Sequence, residues 1–370
     1  MEKRQEGKKR GGISASMVAL SAVVLATGLT LFSCASAPIE PFKSPDIPII
    51  WPTPPEPARI SFVKTVERPE DIGARQGFFS RLADIVLGTD NDDIVKPYGL
   101  ATDSAGRLLV ADTAFKRVHI YDLFKGDYAS IDSAGKARLE APIGVAIDGQ
   151  DNIYVTDSGA AKVYVYSKDA DLLFQISGFK RPTGIAVDKA EKRLYVVDTA
   201  EHLIKTFDLS GNPIGVIGRR GEGAGEFNYP VDVYIDKDGN LYVNDAMNFR
   251  IQIFDRTGKF RYAFGRHGDG TGDIGRPKGV AVDSEGNIYI ADAVFDTVQI
   301  FDRDGRFLLN FGKLGREQGK FYLPTGVHID SKDRIYVSDS YNKRVQIFEY
   351  LGSKRVEAID APDIVTQKRP

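Results

Sequence analysis

The chain has 370 residues, 49 Lys and Arg against 51 Asp and Glu, and 42% hydrophobic residues, a balance that excludes a multi-span membrane protein and a disordered chain. Its one cysteine excludes an intrachain disulfide, a multi-cysteine zinc or iron–sulfur site and a C-x-x-C-H haem attachment. The 37 Gly and 18 Pro beside 21 Phe and 16 Tyr suit many short strands joined by turns.

Lys3, Arg4, Lys8, Lys9 and Arg10 precede the uncharged run from Ile13 to Phe32, the basic and apolar regions of an export signal. Next comes Leu31-Phe32-Ser33-Cys34-Ala35, which resembles the bacterial lipoprotein box. The resemblance implies cleavage after residue 33, a lipid on Cys34, attachment to a membrane of the cell envelope and, from Ala35, sorting to the outer membrane. Without residues 1–33 the chain keeps 44 basic and 49 acidic residues. Its net charge of −5 gives no reason to expect nucleic acid as a partner.

Residues 34–57 are expected to form a stalk. Eight prolines fall between Ala35 and Pro57, a tract that favours polyproline II at about 3.1 Å per residue. Residues 58–93 are expected to supply a strand, Arg59–Val66, that closes a ring of blades. A helical stretch opens at Pro69 and carries Phe78, Phe79, Leu82, Ile85 and Val86 at helical spacing.

A repeat dominates the rest. Pro97, Pro142, Pro182, Pro230, Pro277 and Pro324 recur at intervals of 40 to 48 residues. Six positions after each stands an aspartate: Asp103, Asp148, Asp188, Asp236, Asp283 and Asp330. A second ring of aspartates, Asp112, Asp157, Asp198, Asp245, Asp292 and Asp339, is followed nine residues on by an aromatic, from Tyr121 to Phe348. Each unit reads as four short strands with turn signals between them, the pattern of one propeller blade. Segment Pro277-Lys-Gly-Val-Ala-Val-Asp-Ser-Glu-Gly-Asn-Ile-Tyr-Ile-Ala-Asp292 resembles the NHL-repeat consensus. That resemblance implies an all-β, six-bladed propeller of four-stranded blades over residues 94–360, with a tail at 361–370. WD40 is excluded because the only tryptophan is Trp51.

The recurring aspartates suit turn residues that bond their own backbone, since a site does not need six equal copies. Function is expected in the departures. Asp232 and Tyr234 break the Pro-x-Gly-x-Ala pattern in blade four, and His328 replaces the alanine found at Ala101, Ala146, Ala186 and Ala281. Tyr234 and His328 are expected to reach into the channel. Arg250, Arg276 and Lys278 are candidate partner contacts on a loop face that also carries Arg219, Arg266, Arg316 and Arg344, diluted by Glu222, Glu226 and Asp273. The reading is a binding scaffold for an envelope protein or for a small or polymeric ligand, with no cofactor and no metal. The alternative is a metal-dependent lyase or lactonase-type hydrolase at the channel. Similar folds use a histidine-bound zinc or carboxylate-bound calcium there, and His202, His267 and His328 are candidates to approach one face. No nucleophile elbow or phosphate-binding loop is present.

Overall fold

The computed structural model describes residue 45, residues 47–74 and residues 92–352. The signal, Cys34, the helical stretch from Phe78 to Val86 and the tail lie outside them. The described residues form an all-β, six-bladed propeller with four strands in each antiparallel blade.

Blade five shows how sequence becomes blade. Its strands are Pro277–Val282, Ile288–Asp292, Thr297–Phe301 and Phe307–Phe311. The first three are buried along nearly their whole length, and the fourth alternates between half-buried and exposed. This is the expected burial order from the axis outwards: inner strands are packed on both faces, and rim strands keep one face in water. Apolar side chains from neighbouring blades interleave, as where Val280, Val282 and Ile290 of blade five pack with Ile251 and Ile253 of blade four.

Near the axis the blades meet backbone to backbone, which the third residue of each unit decides. A Cβ on Gly99 would stand 2.5 Å from the Ile143 carbonyl oxygen, and one on Gly279 would stand 2.6 Å from that of Thr325. Such contacts are prohibitive, so only glycine allows the approach. Blade four alone places a side chain there, that of Asp232.

The ring closes in blade six. Its first three strands are Pro324–Ile329, Arg334–Asp339 and Arg344–Tyr350, and the fourth is Ile60–Val66 from the other end of the propeller. The register pairs Ile60 with Tyr350, Phe62 with Phe348 and Val66 with Val345. Closure removes an edge strand whose free amides would otherwise invite association. A short 3-10 turn, Pro69–Ile72, follows.

The proline tract behaves differently from the stalk expected as far as Pro57. Ile50–Trp51 forms a fifth strand against Ile60–Ser61. The Trp51 ring stands 5.8 Å from both Phe311 and Phe348. A large apolar ring next to an aromatic cluster gains more by docking than by solvation, so the propeller begins before residue 58.

Candidate functional site

Loops leading into each first strand share a face with the turns between second and third strands. On this face the second aspartate ring is architectural. Asp157 accepts the Glu140 and Ala141 amides at 2.7 and 2.9 Å, and Asp292 accepts those of Gly275 and Arg276 at 2.7 and 2.9 Å. Each aspartate thereby pins the loop before its own blade's proline. The first ring, on the opposite face, closes turns: Asp283 accepts the Glu285 and Asn287 amides and the Asn287 side chain at 2.8–2.9 Å.

Most loop cations are consumed in the same way. Arg250 donates to Asp245 at 2.8 Å and to the carbonyls of Gly223 and Glu226 at 2.8 and 3.0 Å. Arg344 repeats this with Asp339, Glu317 and Lys320. Arg219 pairs with Glu226 and Arg266 with Asp273. Arg250, a candidate partner contact by sequence, therefore holds a loop. Arg250→Ala is expected to cost roughly 2 kcal/mol of stability, because it removes the charged donor of a buried carboxylate, which keeps the Asn228, Asn248 and Gln252 donors, and a side-chain donor of the Gly223 and Glu226 carbonyls. A urea-denaturation midpoint unchanged by the substitution would contradict this.

The axis is a cavity of about 200 Å³ lined by first-strand residues of all six blades, among them Tyr98, Asp232, Tyr234 and His328. Tyr234 lines it from blade four and donates from its hydroxyl to the Val282 carbonyl at 3.0 Å. His328 shares a 2.9 Å hydrogen bond with Thr102 near the end of the channel opposite the loop face. Burial, with a contribution from Lys189, pushes its imidazole down to about 4, so it is neutral at pH 7.

Asp232 stands where the other blades carry glycine, and its carboxylate crosses to blade five, where it accepts the Val280 amide at 3.0 Å. Burial pushes it up to about 7 against the amides of Val280 and Val233. The carboxyl is far below the outer surface yet partly accessible from the cavity. Lys278 follows the proline of blade five, as Tyr98 does in blade one. Burial lowers its ammonium to about 8, and the Arg276 and Arg181 guanidiniums add to the effect. Burial and the Asp232 charge push the Tyr98 phenol upward, while Arg181 and Arg276 pull it down. Asp232 of blade four, Arg181 of blade three and Arg276 of blade five thus act on Tyr98 of blade one, and the two arginines act on Lys278.

Sequence reasoning missed Tyr98 and Arg181. The signal was present in the positions flanking each proline. Before it stand Lys96, Ala141, Arg181, Tyr229, Arg276 and Leu323, and after it Tyr98, Ile143, Thr183, Val231, Lys278 and Thr325. The hydroxyls of Thr183 and Thr325 are absorbed by Thr199 and by Ser340.

The three candidate histidines are not brought together. The Nδ1 of His202 accepts the Tyr229 amide at 3.1 Å, the His267 ring lies tilted with its centre 4.3 Å from that of Phe249, and His328 sits at the far end of the channel. Among the described residues no three His, Cys, Asp or Glu side chains are grouped as metal ligands would be.

Family comparisons agree with this architecture. A family described as a 6-bladed beta-propeller matches residues 179–248 and 237–298, and the NHL repeat matches residues 321–348. Among solved structures, a gluconolactonase from Xanthomonas campestris is 17% identical with a TM-score of 0.58, covering 86% of this chain and 100% of its own. An auxiliary nutrient binding protein from Bacteroides thetaiotaomicron is 13% identical, with a TM-score of 0.56 and coverage of 70% and 71%. A streptogramin B lyase is 14% identical, with a TM-score of 0.51 and coverage of 70% and 94%. At such identities the likeness is one of fold, which here carries hydrolase, lyase and binding protein alike. The chain is an NHL-type six-bladed β-propeller.

Proposed function

We propose that this propeller is a binding module of the cell envelope, lipid-anchored through Cys34 and sorted to the outer membrane as Ala35 implies, which engages an envelope protein or a small or polymeric ligand through its loop face. One observation carries the reading. Arg181, Arg276 and Lys278, whose side chains form no ion pair or hydrogen bond among the described residues, flank the prolines that open the first strands of blades three and five, whereas the repeated aspartates are spent on the scaffold. On the same face, blades four to six expose Tyr229, Met247, Val294, Leu314, Tyr322 and Tyr341, apolar groups of the kind that anchor interfaces. A nutrient binding protein shares this scaffold, which supports the reading by analogy only.

The test is cross-linking in the native membrane from a photoreactive residue placed at position 229, 247 or 341 of the full chain. Adducts are expected from these positions and not from position 237 on the opposite face. Equal labelling from both faces, or none from the loop face, would overturn the reading.

A further inference from the structure

The fifth strand of blade six fixes where the chain that comes from Cys34 meets the propeller. The closing strand Ile60–Val66 runs toward the loop face, because Val66 pairs with Val345 beside a loop-face turn and Ile60 pairs with Tyr350 at the other end. Ile50–Trp51 lies antiparallel to it, with Ile50 opposite Ser61 and Trp51 opposite Ile60, so the residues before Ile50 lead back toward the loop face. The Ile49 carbonyl continues the pairing by accepting the Phe62 amide at 2.8 Å. Ile49 and Trp51 are wedged against the loop that enters blade six: a Cβ on Gly319 would stand 2.7 Å from the Trp51 ring and 3.1 Å from the Ile49 side chain. Ile49 lies fifteen residues after Cys34, a length of chain that spans at most roughly 50 Å.

The loop face beside this point differs from the rest. Leu314 is 63% and Tyr341 55% exposed, Tyr322 is exposed with its ring centre 5.2 Å from that of Tyr341, and Ile47, 82% exposed, stands two residues before Ile49. Asn342 ties the turn to the loop by donating to the Gly315 carbonyl at 2.8 Å, so the two form one surface. Around it Lys313, Arg316 and Lys343 are exposed and form no ion pair among the described residues, while Lys320 takes Glu317. Loop 312–323 and turn 340–343 together carry a formal charge of +3, against 0 for the equivalent residues 218–229 and 246–249 of blade four and −1 for residues 265–276 and 293–296 of blade five. On the opposite face, the groove over blades four to six is lined by six aspartates against Lys237, Arg261 and Arg303. An anionic surface is therefore drawn to blade six on the loop face and repelled from the other side.

Resting on the lipid anchor at Cys34 that the binding-module reading includes, we propose that the blade-six sector of the loop face docks on the anionic phospholipid surface to which the chain is tethered. Leu314, Ile47 and the adjoining Tyr322 and Tyr341 rings enter the headgroup boundary, where apolar bodies are buried and phenol hydroxyls stay wet. Lys313, Arg316 and Lys343 meet the lipid phosphates. The tether makes the contact intramolecular, so a patch too small to hold a free protein on a membrane suffices. Tyr229 and Met247 of blade four are left for the partner or ligand.

The full chain, carrying its lipid, is reconstituted into vesicles of phosphatidylglycerol and phosphatidylethanolamine that contain nitroxide-labelled lipid, with a fluorescent amino acid at position 341 or, on the opposite face, at position 237. Quenching is expected at 341 and not at 237. It should fall at least about threefold in the triple variant Lys313→Gln/Arg316→Gln/Lys343→Gln, because each cation close to an anionic surface favours it about fivefold. No quenching at 341, equal quenching at both positions, or quenching unchanged in the triple variant overturns the docking. The substituted side chains are all exposed, and thermal unfolding separates lost docking from lost folding. The two proposals fail separately: cross-links from position 229 or 247 without quenching at 341 overturn the docking and leave the binding module standing, whereas quenching at 341 without such cross-links overturns the binding module alone.

Discussion

Asp232→Asn is expected to stabilise the propeller above neutral pH by as much as roughly 4 kcal/mol and to flatten the pH dependence of its stability. The carboxyl is pushed from its ordinary 3.8 to about 7 by burial. A group whose folded value is raised binds its proton more tightly in the folded state. Wild-type stability therefore falls as pH rises from about 3.8 to about 7 and is level beyond. The window lies below that of Lys278, held near 8. Asparagine keeps an oxygen to accept the Val280 amide and has no charge to bury. The magnitude is an upper bound, because the carboxyl faces a cavity that water can reach. Urea midpoints of both proteins at pH 4.5 and pH 8 decide the matter: the gap should open at the higher pH. An equal gap at both values would show that the Asp232 charge carries no such penalty.

The second large effect is expected at the closure. Phe348 is fully buried and its ring lies 4.9–5.8 Å from those of Phe311, Phe62, Phe321 and Trp51. Phe348→Ala removes the common partner of four aromatic rings contributed by blades five and six and by the N-terminal strands, and should cost roughly 3–5 kcal/mol. Phe62→Ala should lose a comparable amount. The two faces of one contact are being removed, so the double variant should fall short of the sum. Chemical denaturation of the three variants measures this. Because Phe62 sits on the closing strand, its loss should also promote self-association by loosening the cover on Arg344–Tyr350. A strictly additive double variant would mean that the closing strand does not rely on this contact.

These expectations differ in how far they could be read from residues alone. Blade number, strand number and the closing role of Arg59–Val66 were all legible, because a propeller repeats one local pattern and six copies in phase leave little freedom. The turn-closing use of the first aspartate ring was legible for the same reason, whereas the hold of the second ring on loops sixteen and seventeen residues upstream was not. Asp232 was visible as a break in the glycine position, although the direction of its side chain, across the seam to Val280, depends on how closely two blades approach.

Arg250 and Arg276 look alike in the sequence, each an arginine beside a loop of the same face. Arg250 opens the third strand of its blade, within reach of its own buried Asp245, and is absorbed. Arg276 precedes the first strand and gives its backbone amide to Asp292, and its side chain forms no ion pair among the described residues. Tyr98 and Arg181 escaped notice because each conforms to its own blade, and their meaning appears only when blades one, three and five are brought around one axis. The docking of Trp51 was hidden for a similar reason: a proline tract reads as extended and solvated until Phe311 and Phe348 are seen to leave a place for an indole.

By itself, then, the sequence determined the repeat, the fold and the turn chemistry, because these rest on hydrogen bonds and burial patterns within some forty residues. The tertiary structure decided which charges are spent and which remain, because ion pairing and desolvation depend on distances between residues far apart in the chain, and ring closure alone sets those distances.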